Sequence, residues 1–400
     1  MKKLLALILA LVLVLAMAAC SKADTPAASA DSKSEPAADT AAEQAAQDDA
    51  AQTDAAPTET AAAANDISTL KIGAFSNSGV QDGGYTQAFY TGLKAVMDKY
   101  GMSDDQLIMV ENIYDGTPDV QNIIQQLINE GCNVIIGHSN GYNEDLDVYA
   151  RKYPDIRFYC YEGGTSDAVC TYTIHNHQAI YELGYLCALM SEGDELGFIA
   201  PMQNAHIIRS IDAFALGAKA ANENAKVKVM WVNSWWDAET DKLCAETLIS
   251  EGVTAMAYYG STSAALQACQ EKGVYCTGFH IDMHDYAPDA CISSFCWNWE
   301  PILTKIVERY LAGDTSMDML IGTVADGSAA IAPLSDFVPD DVKQKVADVQ
   351  QKITDGEIDV FAGPVYDNEG NLQIAEGSTL SEEDLFSVFY LVDNVIGTLD

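Results

Sequence analysis

Short apolar runs alternate with amphipathic stretches along most of this chain, and a sequence built that way has few architectures open to it. The first series opens with the strand-like Leu70 to Phe75 and a stretch in which Phe89, Leu93 and Met97 recur every four residues. Strand-like Leu107 to Val110 precedes a helix carrying Val120, Ile123, Ile124, Leu127 and Ile128, closed by Gly131. Val134 to Gly137, Asp145 to Tyr153 and Ile156 to Tyr159 continue the beat. Short apolar runs joined by helical stretches predict parallel strands covered on both faces.

A second series runs from Leu196 to Ala200, through a helix marked by Ile207, Ile211, Phe214 and Ala218, to Val227 to Val232 and a helix through Leu243 and Leu248. Ala255 to Tyr259, a helix from Ala264 to Lys272, and Val274 to Gly278 complete it. The expected class is therefore α/β, with two Rossmann-like lobes. Strand-like Ala290 to Phe295 and a helix from Ile302 to Leu311 return the chain to the first lobe. The expected boundaries are about 68–174 and 297–323 for lobe 1, and 175–296 and 324–400 for lobe 2. Ligands of such sheets bind beyond the carboxyl ends of the strands, so the site is expected in the cleft between them.

The N-terminal 66 residues are of other kinds. Residues 1–20 read as a secretory signal, with Lys2 and Lys3, an apolar run from Leu4 to Ala19, and Cys20. The run falls short of the roughly 20 apolar residues a spanning helix needs. Residues 21–66 are Ala-rich and acidic, with no aromatic side chain and Pro26, Pro36 and Pro57 scattered among them. Such a segment cannot bury a core and is expected to form a disordered tether. The whole chain carries a formal charge of −38, which excludes a nucleic-acid role because phosphate contacts need a basic surface. Nine cysteines follow Cys20 without any CxxC; Cys160 and Cys170 are one pair that could bridge.

Three groups of residues suggest chemistry. Gly137-His138-Ser139-Asn140-Gly141 has the spacing of a nucleophile elbow at a strand end, which would make Ser139 a hydrolase nucleophile. A Gly-flanked polar turn is also what a binding loop looks like. His280, Asp282 and His284 alternate, and in an extended segment could face one metal, but a polar strand-end loop is the simpler account and no metal or cofactor is expected. All five tryptophans fall in two stretches, Trp231, Trp235 and Trp236, then Trp297 and Trp299. Trp231 fits packing inside its strand. Trp235 and Trp236 lie in a polar turn, where a large ring serves best by covering a flat ligand. Asn140, Tyr142 and Tyr259 sit in cleft-facing loops and are added as ligand candidates.

Read in order, several segments resemble one family. They are Asp82-Gly83-Gly84-Tyr85-Thr86-Gln87, Tyr153-Pro154-Asp155 and Trp231-Val232-Asn233-Ser234-Trp235-Trp236-Asp237. Asp282-Met283 with Ala287-Pro288-Asp289, Ile331-Ala332-Pro333, and Phe361-Ala362-Gly363-Pro364-Val365-Tyr366-Asp367 follow. Together they resemble the basic membrane protein, or PnrA-like, lipoproteins, substrate-binding proteins of ABC importers with a type I periplasmic-binding fold. Met17-Ala18-Ala19-Cys20 resembles a lipobox, which implies lipidation of Cys20 and a place on the extracytoplasmic face of the cell membrane.

The resemblance implies a receptor without enzymatic activity, working with an ABC permease and its ATPase. It also implies a purine held between aromatic rings, Tyr85 from the first lobe and Trp235 or Trp236 from the second. Asp82, Asp282 and Met283 belong to the matching segments, Trp297 matches a branch of the family with Trp after the next strand, and Asp282 is the expected base-edge or ribose contact. Nucleoside-binding members carry Asp where this chain has His280 and Lys where it has Trp297, so a free base such as adenine, hypoxanthine or guanine is favoured over a nucleoside. A secreted hydrolase using Ser139 and a sensor subunit are the competing readings.

Overall fold

The computed structural model describes residues 64–164 and 166–399. The signal segment, Cys20 and most of the tether lie outside them. From Asn65 the chain is already held, its backbone N–H donating to Leu311 O and its side-chain amide to Tyr310 O.

β1 (Ile72–Ser76) is buried along its whole length, as a central parallel strand must be when helices cover both faces. It is followed by α1 (Tyr85–Tyr100), β2 (Leu107–Val110), α2 (Pro118–Asn129), β3 (Val134–His138), α3 (Asn143–Lys152), β4 (Arg157–Tyr161) and β5 (Cys170–Ile174). Asp82 starts α1: its carboxylate accepts from the N–H groups of Gly84, Thr86 and Gln87 and from the Ser78 hydroxyl. That satisfies orphan donors at a positive helix end.

The second half runs α4 (Asn176–Met190), β6 (Glu195–Ala200), α5 (Ala205–Ala221), β7 (Lys226–Trp231), α6 (Ala238–Ser250), β8 (Ala255–Tyr258), α7 (Ala264–Lys272), β9 (Tyr275–Gly278) and β10 (Cys291–Trp297). It continues through α8 (Glu300–Ala312), β11 (Leu320–Gly322), β12 (Ala329–Ile331), α9 (Asp340–Thr354), a hairpin of β13 (Val365–Tyr366) and β14 (Leu372–Ile374), α10 (Glu382–Leu385) and β15 (Val395–Ile396). One sheet has the order β11-β5-β4-β3-β1-β2 and the other β12-β10-β9-β8-β6-β7-β15. The chain thus passes between sheets after β5, after β10 and after β11. These three segments connect the two sheets of a two-lobed α/β fold. Among the described residues no helix is long and apolar enough to cross a membrane.

α4 and α5 pack backbone to backbone. A Cβ on Gly184 would lie 2.0 Å from Phe214 O, and one on Gly217 would lie 2.0 Å from Tyr181 O, so only glycine permits the approach.

The same α4 buries Glu182, which accepts one bond from the Gln350 amide on α9. Burial raises its carboxyl to about 8, and the Gln350 bond offsets little of that. An unfolded glutamate titrates near ~4.3, so in the window between, the folded state holds the extra proton. Glu182 therefore adds stability at acid pH that is lost as pH rises through 8, with a slope of up to about 1.4 kcal/mol per pH unit. Glu182→Gln should flatten urea-unfolding stability between pH 5 and 8 relative to wild type; an unchanged slope would place the titration elsewhere.

Candidate functional site

The strand ends and helix starts that face one another between the sheets carry an unusual density of rings. From the first sheet come His138 at the end of β3, Tyr161 at the end of β4, and Tyr85 at the start of α1. From the second come His206 on the first turn of α5, Tyr259 after β8, Phe279 and His280 after β9, and Trp297 at the end of β10. Trp299 lies just before α8.

His138 is sandwiched, with Phe89 stacked at 3.8 Å on one side and Tyr85 at 4.4 Å. Trp297 stacks on Trp299 at 5.3 Å, and Tyr161 meets both edge-on at 6.5 and 5.4 Å. Tyr259 stacks on Phe279 at 3.5 Å. The two lobes touch where Tyr85 meets His280 at 6.2 Å, and Gly84 packs closely there, since a Cβ would lie 3.2 Å from His280 Cδ2.

A charged network crosses between the lobes beside these rings. Glu162, the residue after β4, accepts from Arg209 Nη2 at 3.1 Å and from Thr173 Oγ1 at 2.9 Å, and lies 3.1 Å from His206 Nδ1. His206 Nε2 in turn bonds the Tyr259 hydroxyl at 2.6 Å. Burial by itself would raise the Glu162 carboxyl, but His206 and Arg209 outweigh it and hold it well below the usual carboxylate range. Glu162 also has φ of 46° and His280 of 76°, a left-handed backbone that costs a non-glycine residue of order 1 kcal/mol or more and concentrates at ligand sites.

Burial pushes His138 well below the ordinary histidine value, and it pushes His280 down to about 4 against a smaller opposing pull from Asp82. Both rings are therefore neutral near pH 7. Four polar atoms of the cluster are buried without a protein partner: His138 Nε2, Tyr161 Oη, His280 Nε2 and Trp299 Nε1. An unpaired buried polar atom costs about 1–3 kcal/mol, and these four lie among the rings where the lobes meet.

The residues singled out from sequence scatter. Tyr85, Tyr259 and Trp297 fall in the ring cluster. Tyr142 packs on Phe75 and its hydroxyl donates to Ile113 O, so both its ring and its polar end are used by the first lobe. Met283 is buried in the second lobe, its sulfur accepting from Phe279 N. Asp82 spends both oxygens capping α1. Asp282 is exposed and pairs with His284. Asn140 is exposed after β3. Trp235 and Trp236, 46% and 63% exposed, stand on the β7–α6 loop and make no ring contact among the described residues. Sequence reasoning passed over Tyr161, Glu162, His206 and Arg209; the available signal was the place of Tyr161 and Glu162 at the carboxyl end of β4 and of His206 on the first turn of the helix after β6.

The chemical motifs resolve similarly. The Ser139 hydroxyl donates to Asp115, and the neighbouring His138 bonds Tyr172 through Nδ1, so no serine–histidine pair forms. His280 turns to Trp297 while His284 turns to Asp282, so the alternating residues do not converge. Cys160 and Cys170 do not bridge: Cys160 pairs with Thr171 and Cys170 with Tyr159, which places the two thiols on opposite faces of the sheet.

The chain resembles several characterised proteins over most of its length. It is 27% identical over 334 residues to a purine-binding protein of Brucella abortus, covering 83% of this chain and 95% of that one. A Haloferax volcanii protein named for glucose binding in an ABC transporter is 28% identical over 272 residues, 67% of this chain and 70% of its own. Among solved structures, an ABC transporter solute-binding protein from Conexibacter woesei superposes with a TM-score of 0.62 at 17% identity, covering 72% of this chain and 98% of the other. That likeness establishes the fold, which is the two-lobed fold of solute-binding proteins. The family model described as ABC transporter substrate-binding protein, PnrA-like, matches residues 69–362, and the chain belongs to that family.

Proposed function

We propose that this chain captures a purine free base, such as adenine, hypoxanthine or guanine, and delivers it to an ABC permease while anchored by a lipid on Cys20 to the extracytoplasmic face of the cell membrane. The observation that carries the reading is the set of unpartnered polar atoms among stacked rings at the meeting of the lobes. A purine offers two π-faces for the rings, each stack being worth roughly 1–3 kcal/mol, and ring nitrogens for the donors. The purine-binding relative supports the ligand class. A nucleoside fits less well, because His280 and Trp297 bond each other and neither presents a charge to ribose hydroxyls.

In this reading the base bridges the lobes, and its binding free energy favours the closed arrangement that a permease recognises. Calorimetric titration of the chain with adenine, hypoxanthine, guanine, their nucleosides and glucose tests it. Saturable binding of a base, with weaker binding of its nucleoside, is expected. Binding of glucose or a nucleoside in preference to every base would sink the proposal.

A further inference from the structure

Trp297 holds His280 twice. Its backbone N–H donates to His280 O at 3.1 Å, and its indole Nε1–H donates to His280 Nδ1 at 2.9 Å. An indole nitrogen can only donate. His280 Nδ1 must therefore offer a lone pair, and the proton of the neutral ring sits on Nε2. That Nε2 is buried and unpartnered, on a residue only 4% exposed whose backbone is held at φ 76°. Trp297 is itself locked by Trp299 at 5.3 Å and by Phe295 and Phe279, edge-on at 4.5 and 6.0 Å. His280 is packed as well, edge-on to Phe279 at 4.7 Å.

Granted the heterocycle site proposed above, we propose that Trp297 is a positioning residue that fixes His280 as an N–H donor, and that this donor selects bases presenting a bare ring nitrogen or a carbonyl oxygen on the edge it meets. Trp299 Nε1, an indole donor of the same cluster left without a partner, adds to the same preference. A ligand with C–H or N–H at that edge leaves a buried donor unpaired, and a site built to hydrogen-bond rejects such an analogue far more strongly than one shaped by packing alone.

The test uses the full chain and two measurements. Nitrogen-15 NMR of histidine-labelled chain without ligand should show His280 protonated on Nε2 and bare on Nδ1, and Trp297→Phe should abolish that asymmetry. Adenine is then titrated beside analogues in which each ring nitrogen in turn is replaced by C–H. One analogue should bind about ten- to a hundredfold more weakly than adenine, and His280→Phe should bind that analogue and adenine alike.

A proton on Nδ1 in the wild type overturns the positioning claim. Equal binding of all analogues, or undiminished discrimination against that same analogue in His280→Phe, overturns the selection claim. If no base or analogue binds while the asymmetry is present, the purine reading falls and takes the selection claim with it, whereas the pinned tautomer stands.

Discussion

Arg209→Met should lower stability by about 3–5 kcal/mol, read as a fall in the urea midpoint, because it leaves the Glu162 carboxylate buried beside a missing guanidinium. Arg209 is 1% exposed and ties α5 to two other parts of the molecule: Nη2 reaches Glu162 of the first lobe, while Nη1 donates to Leu385 O and the guanidinium lies over the adjacent Phe386 ring at 5.7 Å. Combining Arg209→Met with Glu162→Gln should recover much of the loss, since removing both charges is far milder than removing one.

The pH dependence carries a sign of its own. The Glu162 pKa is depressed in the folded state, so its contribution is complete above the unfolded value of about 4.3 and lost as pH falls toward the folded one. Wild type should therefore weaken below about pH 4 by more than the double variant does. A cost under about 1 kcal/mol for Arg209→Met would mean that the pair is solvated and contributes little.

The architecture was legible because its signals are local. Ala264 to Lys272 was read as a helix and forms α7 with the same bounds, and most other strands and helices of the two series lie within a few residues of their expected places. β5 and α4 were harder. Cys170–Ile174 mixes Thr with apolar residues, and α4 is buried nearly all round, so neither shows a clean period of two or 3.6. The strand read as Ile156 to Tyr159 stopped two residues early, which left Tyr161 and Glu162 in an anonymous loop although they stand at the strand's carboxyl end, where ligands bind.

Spatial order was the deeper gap. Nothing local says that β7 and β10 stand near opposite ends of one sheet, with β9, β8 and β6 between them. The expectation that Trp235 or Trp236 covers the ligand rests on the loop's own sequence, and the structure separates those two rings from Trp297 and Trp299. His206 and Arg209 were hidden for another reason: they share α5 with the regular apolar residues Ile207, Ile211 and Phe214, and the apolar pattern accounted for the helix without them.

That separation leads to the sharpest test of where a base stacks. Tyr85→Ala should weaken base binding by roughly 1–3 kcal/mol, about five- to 150-fold, while Trp235→Ala and Trp236→Ala should each change it by no more than about twofold. Tyr85 is half-buried, packs one face on His138 and has no second stacked ring among the described residues. Its hydroxyl donates to His138 O at 3.2 Å, which fixes the plane. Tyr85→Phe keeps the π-face and should retain most of the affinity, separating stacking from the hydroxyl bond. Trp235 and Trp236 have no comparable support. If Trp235→Ala or Trp236→Ala cost more than Tyr85→Ala, the stacking platform would be the β7–α6 loop, and the ring cluster between the lobes would be packing that merely borders the ligand.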